Sequence, residues 1–258
     1  MVRQAQVPLI GHVTLPPLAD NRDAQLWPAL LDLADNLPQP YTVIGGMMVW
    51  MHGAVAGQQP PRVTQDIDVL MDLRAQVSAL RKAVTALERL GYRVDGMSPD
   101  GLAHRYRRDD GTLVDLLAPD NLGRRADLTT TPPGRTLEVP GGTKALSHRV
   151  AVEIRYGTRS SVLYLPELAR ALHCKVKAYL IDHPTPRPGI ESRHLSDIAF
   201  LVSLIDDPDR ILEQLGARPG CEHFTAAAVL DDPRHPAWLT LGARADDARL
   251  VWGQLRHG

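Results

Sequence analysis

The sequence predicts an α+β fold that ends in a helical C-terminal domain. Three observations carry this reading. Short apolar, strand-like runs alternate with amphipathic helices through the first two thirds of the chain. A Gly/Pro/Thr-rich stretch over 120–149 then interrupts them, and is read as loop with short strands. From Pro166 onward helical spacing dominates, and strands with interspersed helices followed by a run of helices mark the α+β class. The division that follows is an N-terminal arm at 1–20, an α+β domain at 21–164 and a helical domain at 165–258.

After Pro16-Pro17 the first helix is marked by Leu26, Leu30, Leu33 and Leu37, a single apolar stripe closed by Pro38 and Pro40. Tyr41–Ile44 reads as a strand entering Gly45-Gly46, and Met47–Ala56 as an apolar helix. Beyond the loop at 57–61, Asp66–Met71 alternates like a strand. Val77, Leu80, Val84, Leu87 and Leu90 place a helix over 77–90, stopped by Gly91. Leu102–Arg107 and Thr112–Ala118 form a hairpin across Asp109-Asp110-Gly111, since Asp-Gly supplies the positive φ that tight turns need. Strands near 150–155 and 161–164 precede helices at 166–182, 193–205 and 208–215, with two more before residue 258.

Composition excludes several classes. The 29 Lys+Arg and 30 Asp+Glu nearly cancel, so no global field draws in nucleic acid or membrane. Only four of the basic residues are lysines, Lys82, Lys144, Lys175 and Lys177. Cys174 and Cys221 have no paired spacing, which argues against a thiolate zinc site and fits a reducing, cytoplasmic compartment. The N-terminal stretch is broken by Pro8, His12 and Pro16, unlike a signal peptide. No apolar run approaches the roughly 20 residues needed to cross a bilayer, so no membrane partner is expected.

Three acids stand out. Residues two apart in a strand share a face, so Asp66 and Asp68 project together while Ile67 and Val69 face the other way. The pair is tolerable if solvated at a strand edge, or if a divalent cation lies between the carboxylates. Asp115 sits in an equally apolar run, Leu113–Leu117, where an acid is costly without a partner. If that strand lies beside the Asp66 strand, the three converge and offer oxygen donors suited to Mg²⁺ or Mn²⁺. Gly45-Gly46, between strand and helix, would let an anion approach the backbone, or is a turn required only for packing.

The segments Val43–Gly53, Arg62–Asp72 and Val114–Leu117 together resemble the nucleotidyltransferase superfamily of the DNA polymerase β type. Within it they are most similar to the AbiEii toxin branch of type IV toxin–antitoxin systems. A second match, Leu172–Tyr179 followed by Ser192–Leu201, resembles the helical motif of that family in which a lysine precedes an aspartate by about two dozen residues. The resemblance implies a polymerase β-like domain with a mixed sheet at 21–164. It also implies transfer of a nucleoside monophosphate from a nucleoside triphosphate to an acceptor hydroxyl, with tRNA expected as acceptor and a cognate antitoxin as possible partner. Asp66, Asp68 and Asp115 would hold two Mg²⁺ (or Mn²⁺) ions, and Asp115 would help deprotonate the acceptor. Gly45, Gly46, Arg62, Thr64 and Lys175 would contact the nucleotide, and Asp197 would belong to the catalytic set. Lys177 competes with Lys175 for the phosphate role. Asp197 either orients Lys175 through an ion pair or pairs with Arg193 one turn away.

The chain departs from the family pattern in its long 54–61 loop, in Met47 after the glycines, and in His194 where relatives often carry an acid. Two other functions stay open: transfer to a small-molecule or protein hydroxyl, and a non-catalytic antitoxin-binding or regulatory module. Arg105–Arg108 and Arg124-Arg125, with Tyr106 for stacking, form either an RNA-binding patch or a solvated hairpin face. His52, on the apolar helix, reads as a structural histidine.

Overall fold

In the computed structural model the described residues are 7–17, 25–60, 64–124, 126–184, 192–218 and 222–257. The chain divides into two compact units: Met1–Met47 with Thr64–Pro166, and Met48–Val63 with Glu167–Gly258. Helices and mixed sheets place it in the α+β class.

The first unit holds two sheets. In the larger, β2 (Tyr41–Ile44), β3 (Asp66–Met71), β6 (Leu113–Pro119), β5 (Arg105–Arg107) and β4 (Arg93–Val94) lie side by side in that order, with β7 (Glu138–Val139) also paired to β6. β3 runs parallel to β6 but antiparallel to β2, and β6 antiparallel to β5, so the sheet is mixed. The alternation read in β3 is met: Ile67 and Val69 are fully buried, whereas Asp66 and Asp68 are only half-buried. α1 (Leu26–Asn36) buries Trp27, Leu30, Leu31 and Leu33 and stops before Pro38. Its Trp27 indole donates to the Pro16 carbonyl, fastening the preceding arm.

Several elements differ from expectation. The N-terminal arm contains a strand, β1 (Leu9–Thr14), which runs parallel to β8 (Arg149–Tyr156); β8 in turn pairs with β9 (Arg159–Pro166). β1 is an edge strand whose Leu9 and Ile10 are exposed, so it lacks the alternation that would reveal it. α3 (Ala79–Arg89) begins after Val77, which is 76% exposed. The Asp72 carboxylate accepts from the backbone of Arg74 and Ala75, and this local turn holds 72–78 out of the helix. Within 120–149 a short helix, α4 (Gly142–Ser147), is pinned at its start by Asp120, which accepts from Gly141 and Thr143. The expected strand at 102–107 shrinks to β5.

The second unit is helical. α5 (Leu168–Asp182) and α6 (Arg193–Val202) pack together, and Leu172, Val176, Leu195 and Ile198 are essentially buried. Ser192 caps α6 by accepting from the His194 amide, and Asp207 does the same for α7 (Pro208–Leu215). α8 (Glu222–Thr225), α9 (Pro236–Leu239) and α10 (Ala245–His257) complete it around Phe224, Trp238 and Trp252. Residues 48–63, kept with the first domain on sequence grounds, are counted in this unit. The reason is visible at Gly53 of α2 (Gly45–Val55), where an added Cβ would lie 2.7 Å from the Phe200 ring. Among the described residues no helix is long and apolar enough to cross a membrane.

His194 gives this unit a pH dependence. Burial, reinforced by the Lys175 charge, holds its imidazole below the ordinary value, although Asp182 lies 2.9 Å from Nε2. The depressed group stays neutral in the fold, while the unfolded chain takes up the proton first as pH falls. Its contribution is therefore intact above about pH 6.5 and is lost below it. Urea unfolding of His194→Gln is expected to show a shallower loss of stability between about pH 6.5 and 5 than the parent.

A carboxylate cluster on the mixed sheet

The parallel register of β3 and β6 sets Asp68 directly opposite Asp115, and Asp66 opposite Leu113. Antiparallel pairing then puts Ile44 beside Asp68 and Arg105 beside Asp115. One row across the sheet thus reads Ile44, Asp68, Asp115, Arg105. Asp66, Asp68 and Asp115 each present an oxygen, and these atoms all lie within 4.8 Å of one another. The convergence that the sequence made conditional on strand pairing is present, in a group that could hold a metal ion. Carboxylate oxygens are hard donors, the kind that divalent cations of the Mg²⁺ or Mn²⁺ class take.

Gly45 shapes the same site. It closes β2 and opens α2 with φ +68°, and a Cβ there would lie 1.7 Å from Asp68 Oδ2. Only glycine leaves room for that carboxylate and adopts the left-handed backbone without strain. Gly46 follows in the first turn of α2, and Met47 is fully buried. Thr64 is buried, and its hydroxyl donates to Asp66 Oδ1 at 2.8 Å, orienting one carboxylate. Arg62 lies outside the described residues.

The sequence leaves Arg105 either in an RNA-binding patch or on a solvated hairpin face; the structure places it in the acidic cluster. Its Nε donates to Asp115 Oδ1 at 2.8 Å and its terminal nitrogen to Oδ2 at 2.6 Å, a bidentate pair. The same terminal nitrogen lies 3.7 Å from Asp66 Oδ2. These acids, the Asp115 hydrogen bonds first, hold the guanidinium above its usual pKa. The signal was present in the sequence: in a hairpin around Asp109–Gly111, Arg105 and Asp115 are near-symmetric about the turn.

The rest of the basic run is occupied as well. Arg107 makes a bidentate pair with Asp95, and Arg108 binds Asp110 and Asp32 while lying over the Tyr92 ring. Tyr106 is 1% exposed and bonded to the Thr131 hydroxyl, so it offers no stacking face. Arg125 lies outside the described residues. A cavity of about 310 Å³ lined by Leu26, Gln65, Arg107 and Leu113 includes none of the three acids among its lining residues.

Lys175 and Asp197 belong to the second unit. Lys175 Nζ lies 2.8 Å from Asp197 Oδ2, and both residues are buried. Of the two alternatives for Asp197, the ion pair with Lys175 is present. Lys177 is half-buried on the same helix, and His52 is buried in α2. Comparison with protein-family models, curated proteins and solved structures finds no match to the chain.

Proposed function

We propose that the protein is a metal-dependent nucleotidyltransferase with a polymerase β-like domain, related to the AbiEii toxins. The observation that carries this reading is the convergence of Asp66, Asp68 and Asp115 on one sheet face, with Gly45 closed against Asp68. The motif resemblance at Val43–Gly53 and Arg62–Asp72 adds the reaction class. The three carboxylates would hold two Mg²⁺ or Mn²⁺ ions, which when bound supply positive charge to the attacking and leaving oxygens of an in-line displacement.

The chain's own residues supply the remainder. Thr64 keeps the Asp66 carboxylate turned into the cluster. Asp115 accepts the proton of the acceptor hydroxyl in this reading. In this reading phosphate would approach the backbone at half-buried Gly45 and Gly46, the first of them already packed against Asp68, and Lys175, held by Asp197, carries the positive charge of the helical motif. The acceptor oxygen attacks the α-phosphorus of the triphosphate, and pyrophosphate leaves.

The first acceptor class is RNA, with tRNA as the substrate and a toxin role held in check by an antitoxin. One observation favours a second class, a small-molecule or protein hydroxyl: Arg107 and Arg108 are committed to acids and Tyr106 is buried, so the hairpin offers little to a polyanion. Incubation with Mg²⁺, labelled nucleoside triphosphates and either total tRNA, candidate proteins or small-molecule alcohols separates the acceptors. Label is expected on RNA, and Asp66→Ala should reduce it to background. Equal transfer by Asp66→Ala overturns the metal-dependent reaction, and label found only on protein or small molecule replaces the RNA acceptor.

A further inference from the structure

The most unexpected charge in the molecule is Arg105. A guanidinium on an acidic cluster can brace a ligand from behind or stand where the ligand belongs, and the distances separate these roles. Its terminal nitrogen lies between Asp115 Oδ2, at 2.6 Å, and Asp66 Oδ2, at 3.7 Å. Those are two of the carboxylates an ion would share. Both Asp115 oxygens already accept from the same guanidinium. A bracing residue would approach the far side of one carboxylate; this one spans two.

We propose that Arg105 is an exchangeable counter-ion: it neutralises the carboxylate cluster while no metal is bound, is displaced from Asp115 by an entering divalent cation, and then binds the phosphates of the nucleotide. The inference rests on the reading of Asp66, Asp68 and Asp115 as a cation site. Displacement follows from like charge, because a divalent ion and a guanidinium on the same carboxylate oxygens repel strongly. The side chain has somewhere to go, since 42% of it is exposed. Strand β5, paired on both sides, keeps its Cα beside Asp115, so the freed guanidinium stays at the rim. There its planar fork matches a phosphate as well as it matched the carboxylate. The exchange is electrostatically consistent: the cluster keeps a cation at every stage, and the arginine becomes available when a polyanionic ligand is needed.

Two measurements test this without relying on turnover. In the unaltered protein, the Arg105 Nε–H resonance, assigned by comparison with Arg105→Lys, is followed during Mg²⁺ titration. It should lose the shift of a carboxylate-bound guanidinium as the site fills; a resonance unchanged at saturating Mg²⁺ overturns the proposal. Mn²⁺ binding is then measured by electron paramagnetic resonance for the parent and Arg105→Gln. The variant, freed of its competitor, should bind Mn²⁺ about tenfold more tightly, and bind a non-hydrolysable nucleoside triphosphate with Mn²⁺ about tenfold more weakly. Equal or weaker Mn²⁺ binding by Arg105→Gln assigns the residue a bracing role and overturns the exchange. Unchanged nucleotide affinity removes the phosphate half. If Mg²⁺ displaces Arg105 yet no acceptor is ever labelled, the exchange stands and the transferase reading falls. If neither metal binds either protein, both fall.

Discussion

Asp197→Ala is expected to lower the unfolding free energy by about 3–5 kcal/mol, the cost of leaving one member of a buried ion pair without the other. Lys175 and Asp197 are 4% and 1% exposed, and the ammonium sits 2.8 Å from the carboxylate. Removing the acid strands a buried cation with little access to water. The double variant Lys175→Met/Asp197→Leu should recover most of that loss, because apolar residues of similar volume fill such a site about as well. Urea denaturation of the two single variants and the double reads the coupling. The same set bears on function: in the transferase reading the double variant is stable yet does not transfer nucleotide. Full transfer by that variant assigns Lys175 to structure alone and removes it from the phosphate role.

The second large effect is at Gly45. Gly45→Ala places a Cβ 1.7 Å from Asp68 Oδ2, at a backbone φ of +68° that L side chains rarely adopt. The backbone strain and the collision together should cost about 2–4 kcal/mol. Relief requires that the Asp68 carboxylate move, so Mn²⁺ affinity should fall by about tenfold or more even in protein that folds. Thermal unfolding and Mn²⁺ binding separate the two losses. A variant that keeps the parent's affinity would show that Asp68 is not needed where the structure holds it. Gly216, also at positive φ but with open space beyond it, supplies the control, since Gly216→Ala should lose stability without touching the cluster.

How much of this was legible in the sequence depended on whether the signal was local. Helix α1 and strand β3 carry their periodicity in their own residues, and the Asp-Gly turn announces the β5–β6 hairpin, so these elements follow directly. The carboxylate cluster was half legible. The shared face of Asp66 and Asp68 follows from the strand repeat, but Asp115 joins them only through the β3–β6 pairing, which no local pattern specifies. Arg105 was misplaced for the opposite reason. It was read with its chain neighbours as a basic run, whereas strand alternation turns Tyr106 into the core and sets Arg105 on the face of its cross-strand partner Asp115. β1 escaped notice because an exposed edge strand has no buried stripe, and 48–63 because their core partners arrive only after residue 167.

The parallel register of β3 and β6 has a consequence for how the protein acquires its chemistry. Asp68 and Asp115 meet only after α3, β4 and β5 have been laid down between them, so the cluster is among the long-range features of the fold. A slip of one residue in that pairing would send Asp115 to the opposite face of the sheet and expose Val114 in its place. If the cluster is a cation site, affinity for a divalent cation would be a property of the correctly threaded sheet alone, and the first capture of Mn²⁺ by refolding protein would mark the moment its central strands have found their register.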